Sequence, residues 1–371
     1  MFMTTPSRHA ITDPRITLLK LVQRQDAQGI AGLLLAQRRE LLTWGDWLVQ
    51  EQLAPYLYSA LKDHHLTALL PRTALMAVQD QAERQRERTA RLLDILYELD
   101  GTLAAVEIPY LVLKGLPLAV RFWGGADRRF SWDLDLLVPA RDLSRAFYTL
   151  TARGCQPLRY TFGVTWLTRR AAHAINLNFK GIPVDLHWRL RHRPGICFAA
   201  DREPRGGGQS PLWERCMHLT FGGREVRVLG DVDLLGLLLF SIVNDLERGH
   251  CRLRILWDIY LALQQLPDFD WYTLLCARDD GLGPLLANAL AVVLYRLDST
   301  EEFPSVATLL ADERAALRIL DQEATLKLLG HPPQSLANRQ WFARLQPLPV
   351  WRYWLWWGTT VPLRYWLGRG I

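Results

Sequence analysis

Asp133 and Asp135 stand one residue apart in "WDLDLLV" (132–138), a run that otherwise reads as a buried strand. Successive strand residues face opposite ways, so the two carboxylates share one face while Leu134, Leu136 and Val138 share the other. Further along, "IPVDLHWRL" (182–190) repeats the pattern, grouping Asp185, His187 and Arg189 against Val184, Leu186, Trp188 and Leu190. If the two strands are neighbours, three carboxylates converge. Such a group repels itself unless a cation neutralises it. Oxygen ligands suit hard ions such as Mg²⁺ or Mn²⁺, and ions so held can activate an attacking oxygen and stabilise a leaving one. The competing arrangement is plain: Asp133 and Asp135 cap a strand or pair with Arg128 and Arg129.

The elements that must position these residues are legible around them. "IPYLVLKG" (108–115) is a short strand ending in glycine, and "LPLAVRFW" (116–123) is a short helix with proline in its first turn. The turn between them, at Lys114-Gly115, offers unpaired N–H groups and a lysine to an anion such as a phosphate. "ARDLSRAFYTLTARG" (140–154) is an amphipathic helix closed by Gly154. "HAINLNF" (173–179) and the strand of Asp185 are joined by Lys180-Gly181 and form a hairpin. A second acidic pair, Asp231 and Asp233, precedes "LLGLLLFSIV" and reads as a helix start, where carboxylates complement free N–H groups. The implied organisation is a helical region over 1–100, a core over 101–200, a Gly-rich linker over 201–212 and a helical region over 213–371.

The composition is globular: 371 residues, 49% hydrophobic and 22% charged, with a net charge of +6. A basic balance favours anionic partners without choosing among them. The five cysteines form no CxxC pair, so neither a zinc site nor a disulfide framework is expected. The first residues lack the pattern of a signal peptide, and the longest apolar run is too short to span a bilayer, which points to a cytoplasmic protein. The end of the chain, "VWRYWLWWGTTVPLRYWLGRGI" (350–371), concentrates tryptophan and arginine. It suits packing on the helical region, or contact with a membrane surface or a protein.

Taken in order, "LKGLPLA", "RRFSWDLDLLVP" and "IPVDLHWRL" resemble the nucleotidyltransferase superfamily related to DNA polymerase β, and more closely its little-characterised bacterial branch. "CRLRILWDIYLAL" (251–263) is similar to a later helical segment of that branch, and "RFSWDLDL" to nucleotidyltransferase toxins of abortive-infection systems. The resemblance implies an α+β fold: a small mixed sheet flanked by helices, with helical N-terminal and C-terminal regions. It implies a two-metal-ion site in which Asp133 and Asp135 hold both ions, Mg²⁺ or Mn²⁺, and Asp185 is the third carboxylate, which ligates one of them and helps activate the acceptor hydroxyl. Gly115 would stand where the triphosphate of an NTP is received. Lys114-Gly115 departs from the superfamily's glycine-serine pair, and Asn244-Asp245 replaces a frequent histidine. Arg129 is a candidate for phosphate contact or for bracing Asp133, and His187 and Arg189 for contact with nucleotide or acceptor. The implied activity moves an NMP to a hydroxyl of a small molecule, peptide, protein or RNA. The alternatives are a toxin acting on tRNA or protein, and a non-catalytic nucleotide-binding or interaction module.

Overall fold

The computed structural model describes residues 13–158, 172–190, 210–247 and 251–321, with positions 164, 165, 169, 198 and 325. The Trp/Arg-rich end at 350–371 lies outside the described residues, as does the 201–212 linker apart from 210–212. The chain divides into two compact units between Glu83 and Arg84. The first contains helices α1 (Pro14–Gln23), α2 (Ala27–Ala36), α3 (Leu41–Gln50) and α4 (Ala54–Asp63), and the opening turns of α5 (Arg72–Ala104). Asp13 and Asp26 begin α1 and α2 by accepting from the N–H groups of Arg15 and Gly29. Leu19, Ile30, Leu41, Leu57 and Leu61 are wholly buried in this unit.

The second unit is built on a mixed seven-stranded sheet in the order β3-β4-β5-β2-β1-β7-β6. Its strands are β1 (Leu111–Val112), β2 (Leu134–Leu137), β3 (Gln156–Pro157), β4 (Ala174–Phe179), β5 (Ile182–His187), β6 (Met217–Phe221) and β7 (Arg224–Val228). Strands β2 and β5 run parallel, as do β1 and β7, and the other pairs are antiparallel. One face is apolar: Leu134, Leu136, Val184 and Leu186 join Leu92, Ile95, Leu96 and Leu99 of α5 and Phe147 and Leu150 of α7 (Leu143–Ala152) in one core. The hairpin turn is at Lys180 and Gly181, both at positive φ, as a two-residue turn of this hand requires.

Helix α6 (Leu116–Phe122) follows β1. A short helix α8 (Pro211–Glu214) precedes β6, and α9 (Asp231–Glu247), α10 (Leu253–Gln265), α11 (Trp271–Leu275), α12 (Gly283–Arg296), α13 (Pro304–Asp312) and α14 (Arg314–Leu317) complete the described chain. The α+β class therefore holds. The region from 213 onward is not wholly helical, however, since β6 and β7 extend the sheet beside β1. The alternation of "REVRV", exposed except at Val226 and Val228, is the strand signal there.

Two devices fix the loop that carries the chain from α6 to β2. From α5, Gln85 Nε2 donates to the carbonyl of Ser131 at 3.4 Å, and Arg88 to that of Trp132 at 2.9 Å. From α10, the buried carboxylate of Asp258 accepts from Arg129 Nε at 2.7 Å and Nη2 at 2.8 Å, and from Trp123 Nε1 at 2.9 Å. Arg129 also reaches Ser131 Oγ at 3.3 Å. Breaking a buried pair leaves an uncompensated charge, whereas replacing both partners removes it. Asp258→Ala is expected to cost about 3–5 kcal/mol in urea unfolding, and Arg129→Met with Asp258→Leu to cost much less than that single change.

Candidate active site

The parallel register of β2 and β5 sets Asp135 directly opposite Asp185, and Leu137 opposite His187. All four lie on the face away from the apolar core, because the alternation that buries Leu134, Leu136, Val184 and Leu186 leaves no other place for them. Asp135 is almost completely buried, at 1% exposure. Its Oδ1 lies 3.1 Å from His187 Nε2 and its Oδ2 lies 3.4 Å from Lys114 Nζ. Asp185 is half-buried and accepts from Asn176 Nδ2 at 2.6 Å. Ligand atoms of Asp135, Asp185 and His187 all fall within 4.8 Å of one another.

Asp133 stands just before β2 and outside that close trio. Its carboxyl is nevertheless part of the same electrostatic group. Burial first, and then Asp135, push its pKa up, while Lys114 and His187 pull it down. Burial, followed by Asp135, raises that of Asp185 to about 6. These are the marks of negative charge confined away from water. Two carboxylates and an imidazole at this spacing fit a divalent cation, which would relieve both causes together.

Gly115 makes the turn beside the trio with φ +78, a conformation that side chains strain. A Cβ built there would lie 3.5 Å from Ser131 Oγ and 3.8 Å from the carbonyl oxygen of Asp133, so this turn and the Asp133 loop touch. Lys114 is thereby placed against Asp135. Arg129 is committed to Asp258 and holds the loop instead of facing the carboxylates. Arg189 follows β5 and is half-buried. Asp231 and Asp233 open α9 and pair with Arg121 and Arg215, apart from the trio, as expected of a helix start.

Three further residues near the site stand outside the candidates that the sequence offers. Asn176 was readable, since fixing the Lys180-Gly181 turn puts it opposite Asp185. Asp258 was not, because nothing local in "WDIYLAL" names a partner in the Asp133 loop. Arg254, on α10, has its pKa lowered to about 9, chiefly by burial and then by Arg129, while Asp258 and Asp133 oppose the shift.

The site is thus a carboxylate–imidazole cluster at the parallel junction of a mixed sheet in an α+β protein, with a glycine turn and a lysine on its flank. The sequence profile of a family described as uncharacterised nucleotidyltransferase matches residues 42–297, and the chain belongs to that family. No curated protein matches the chain. Among solved structures, the antibiotic-resistance factor ANT(2'')-Ia is similar at 12% identity with a TM-score of 0.34, over 48% of this chain and 85% of that one. Among the described residues, no helix is long and apolar enough to cross a membrane.

Two measurements follow from the charges. Lys114 neutralises Asp135, so Lys114→Met is expected to lower the melting temperature of the metal-free protein and to enlarge the gain on adding Mn²⁺. An equal Mn²⁺ gain in both proteins would contradict this role. For Asp185 the folded pKa of about 6 exceeds the unfolded value of 3.8, so the folded state binds the proton more tightly. Its destabilising effect is therefore present above about pH 6 and is relieved as pH falls towards 3.8. Metal-free wild type is expected to gain stability relative to Asp185→Asn between pH 7 and pH 4.5 in parallel denaturant titrations.

Proposed function

We propose that this nucleotidyltransferase moves an NMP from an NTP to an acceptor hydroxyl with release of pyrophosphate, in a reaction that depends on a divalent metal. The observation that carries the reading is the pairing of Asp135 with Asp185 across β2 and β5, with Asp133 in the same electrostatic group. Asp133, Asp135 and Asp185 would hold the ion. When bound, it supplies charge neutralisation at the transferring phosphorus and a more acidic acceptor hydroxyl.

The chain's own groups have separate tasks in this reading. The acceptor oxygen forms its bond to the α-phosphorus as the bond from that phosphorus to the bridging oxygen breaks. Asp185 takes the hydroxyl proton. Its place on the same sheet face as Asp135, opposite it in the register, puts it where an acceptor hydroxyl beside the ion would lie. Lys114 exchanges Asp135 for the phosphates and meets the charge that collects on the departing pyrophosphate. The Gly115 turn gives the phosphates close approach to backbone. Asn176 holds Asp185 in the orientation the transfer needs.

The test is incubation with each α-labelled NTP and Mg²⁺ or Mn²⁺ in cell extract, followed by tracing of the label and of pyrophosphate. Wild type is expected to label an acceptor, and Asp135→Asn to lose the transfer by several orders of magnitude while its circular dichroism is unchanged. Nucleotide binding without label transfer by the wild type would favour a non-catalytic module instead.

A further inference from the structure

We infer that His187 is itself a ligand of the ion, making the centre a mixed carboxylate–imidazole site that prefers first-row transition ions to Mg²⁺. The inference rests on the reading of Asp135 and Asp185 as metal ligands and adds to it the nitrogen donor and the class of ion. His187 lies two residues after Asp185 in β5, so the strand's alternation delivers both side chains to the same face. The imidazole is buried, with its side chain 6% exposed. Among the described residues its Nδ1 has no hydrogen-bond partner, so no acceptor fixes the ring from that side. The ring meets the carboxylate of Asp135 through Nε2 and stands 5.4 Å from the tilted ring of His173.

The spacing suits a shared ion. Nε2 of His187 and Oδ1 of Asp135 lie 3.1 Å apart, a separation that two ligands of one ion can span. The close trio includes His187 and leaves Asp133 outside, so the geometry ranks the imidazole ahead of the first aspartate. Nitrogen in the ligand set alters the choice of ion. All-oxygen sites with retained water suit Mg²⁺, whereas an imidazole gains affinity along the series from Mn²⁺ through Co²⁺ to Ni²⁺. His187 therefore acts as a selectivity residue as well as a ligand.

The experiment loads the full chain with Mn²⁺ and records pulsed electron paramagnetic resonance, then titrates Mg²⁺, Mn²⁺ and Co²⁺ calorimetrically into wild type, His187→Gln and Asp135→Asn. Wild type is expected to show modulation from a directly bound nitrogen, and tighter binding of Co²⁺ than of Mg²⁺. His187→Gln is expected to lose roughly tenfold or more in Co²⁺ affinity while Mg²⁺ affinity changes little. The nitrogen signal needs no variant, so a failure of His187→Gln to fold does not remove the test. Binding that Asp135→Asn abolishes, with no nitrogen signal and an unchanged Co²⁺-to-Mg²⁺ ratio in His187→Gln, overturns this inference alone. If no ion binds wild type, both this inference and the metal reading beneath it fall.

Discussion

Everything about this site follows from one electrostatic conflict. The β2–β5 register places two carboxylates opposite each other on a surface where water is scarce, with a third nearby. Like charges so placed raise one another's pKa and oppose folding. Lys114 and His187 lie against the two oxygens of Asp135, and Asn176 donates to Asp185. The neighbourhood is therefore arranged to contain a negative charge that folding alone would disfavour. A cation is what would neutralise such an arrangement, and the family to which the chain belongs is one of nucleotidyltransferases.

The scaffold isolates the conflict from the core. One face of the sheet packs aliphatic and aromatic side chains under α5 and α7, so the opposite face can carry charge without weakening the main hydrophobic cluster. The loop into Asp133 is held from two sides, by Gln85 and Arg88 of α5 and by the Arg129–Asp258 pair from α10. Fixing that loop matters because Gly115 packs against it, and Lys114 takes its position from the same turn.

Much of this was legible because it is local. The alternation of "WDLDLLV" and "VDLHWRL" assigned strand, face and shared chemistry together, and Lys180-Gly181 set the hairpin register. The boundaries of α6 and α7 came from Pro117 and Gly154. Less legible was whatever depends on residues far apart in the chain. The sequence of Arg129 is equally compatible with phosphate contact, and only the arrival of α10 commits it to Asp258. Strands β6 and β7 are hard to read in the sequence because they sit between a glycine-rich stretch and a strongly apolar helix. Helix α5 runs past residue 100, and its later turns belong to the sheet's core, since Leu92, Ile95, Leu96 and Leu99 pack there.

The tie between Arg129 and Asp258 also bears on how the protein is made. Synthesis proceeds from the N-terminus, and every carboxylate of the site emerges well before Asp258 does. Until α10 leaves the ribosome, Arg129 lacks the partner that holds it in the finished protein, and β1 lacks its parallel neighbour β7 for part of that time. Contacts this distant in sequence close late because the loop entropy must be met first. The nascent chain thus carries its acidic residues for a long interval without the brace that steadies their loop. The loop that leads into Asp133 is therefore braced from α10 only once most of the polypeptide exists.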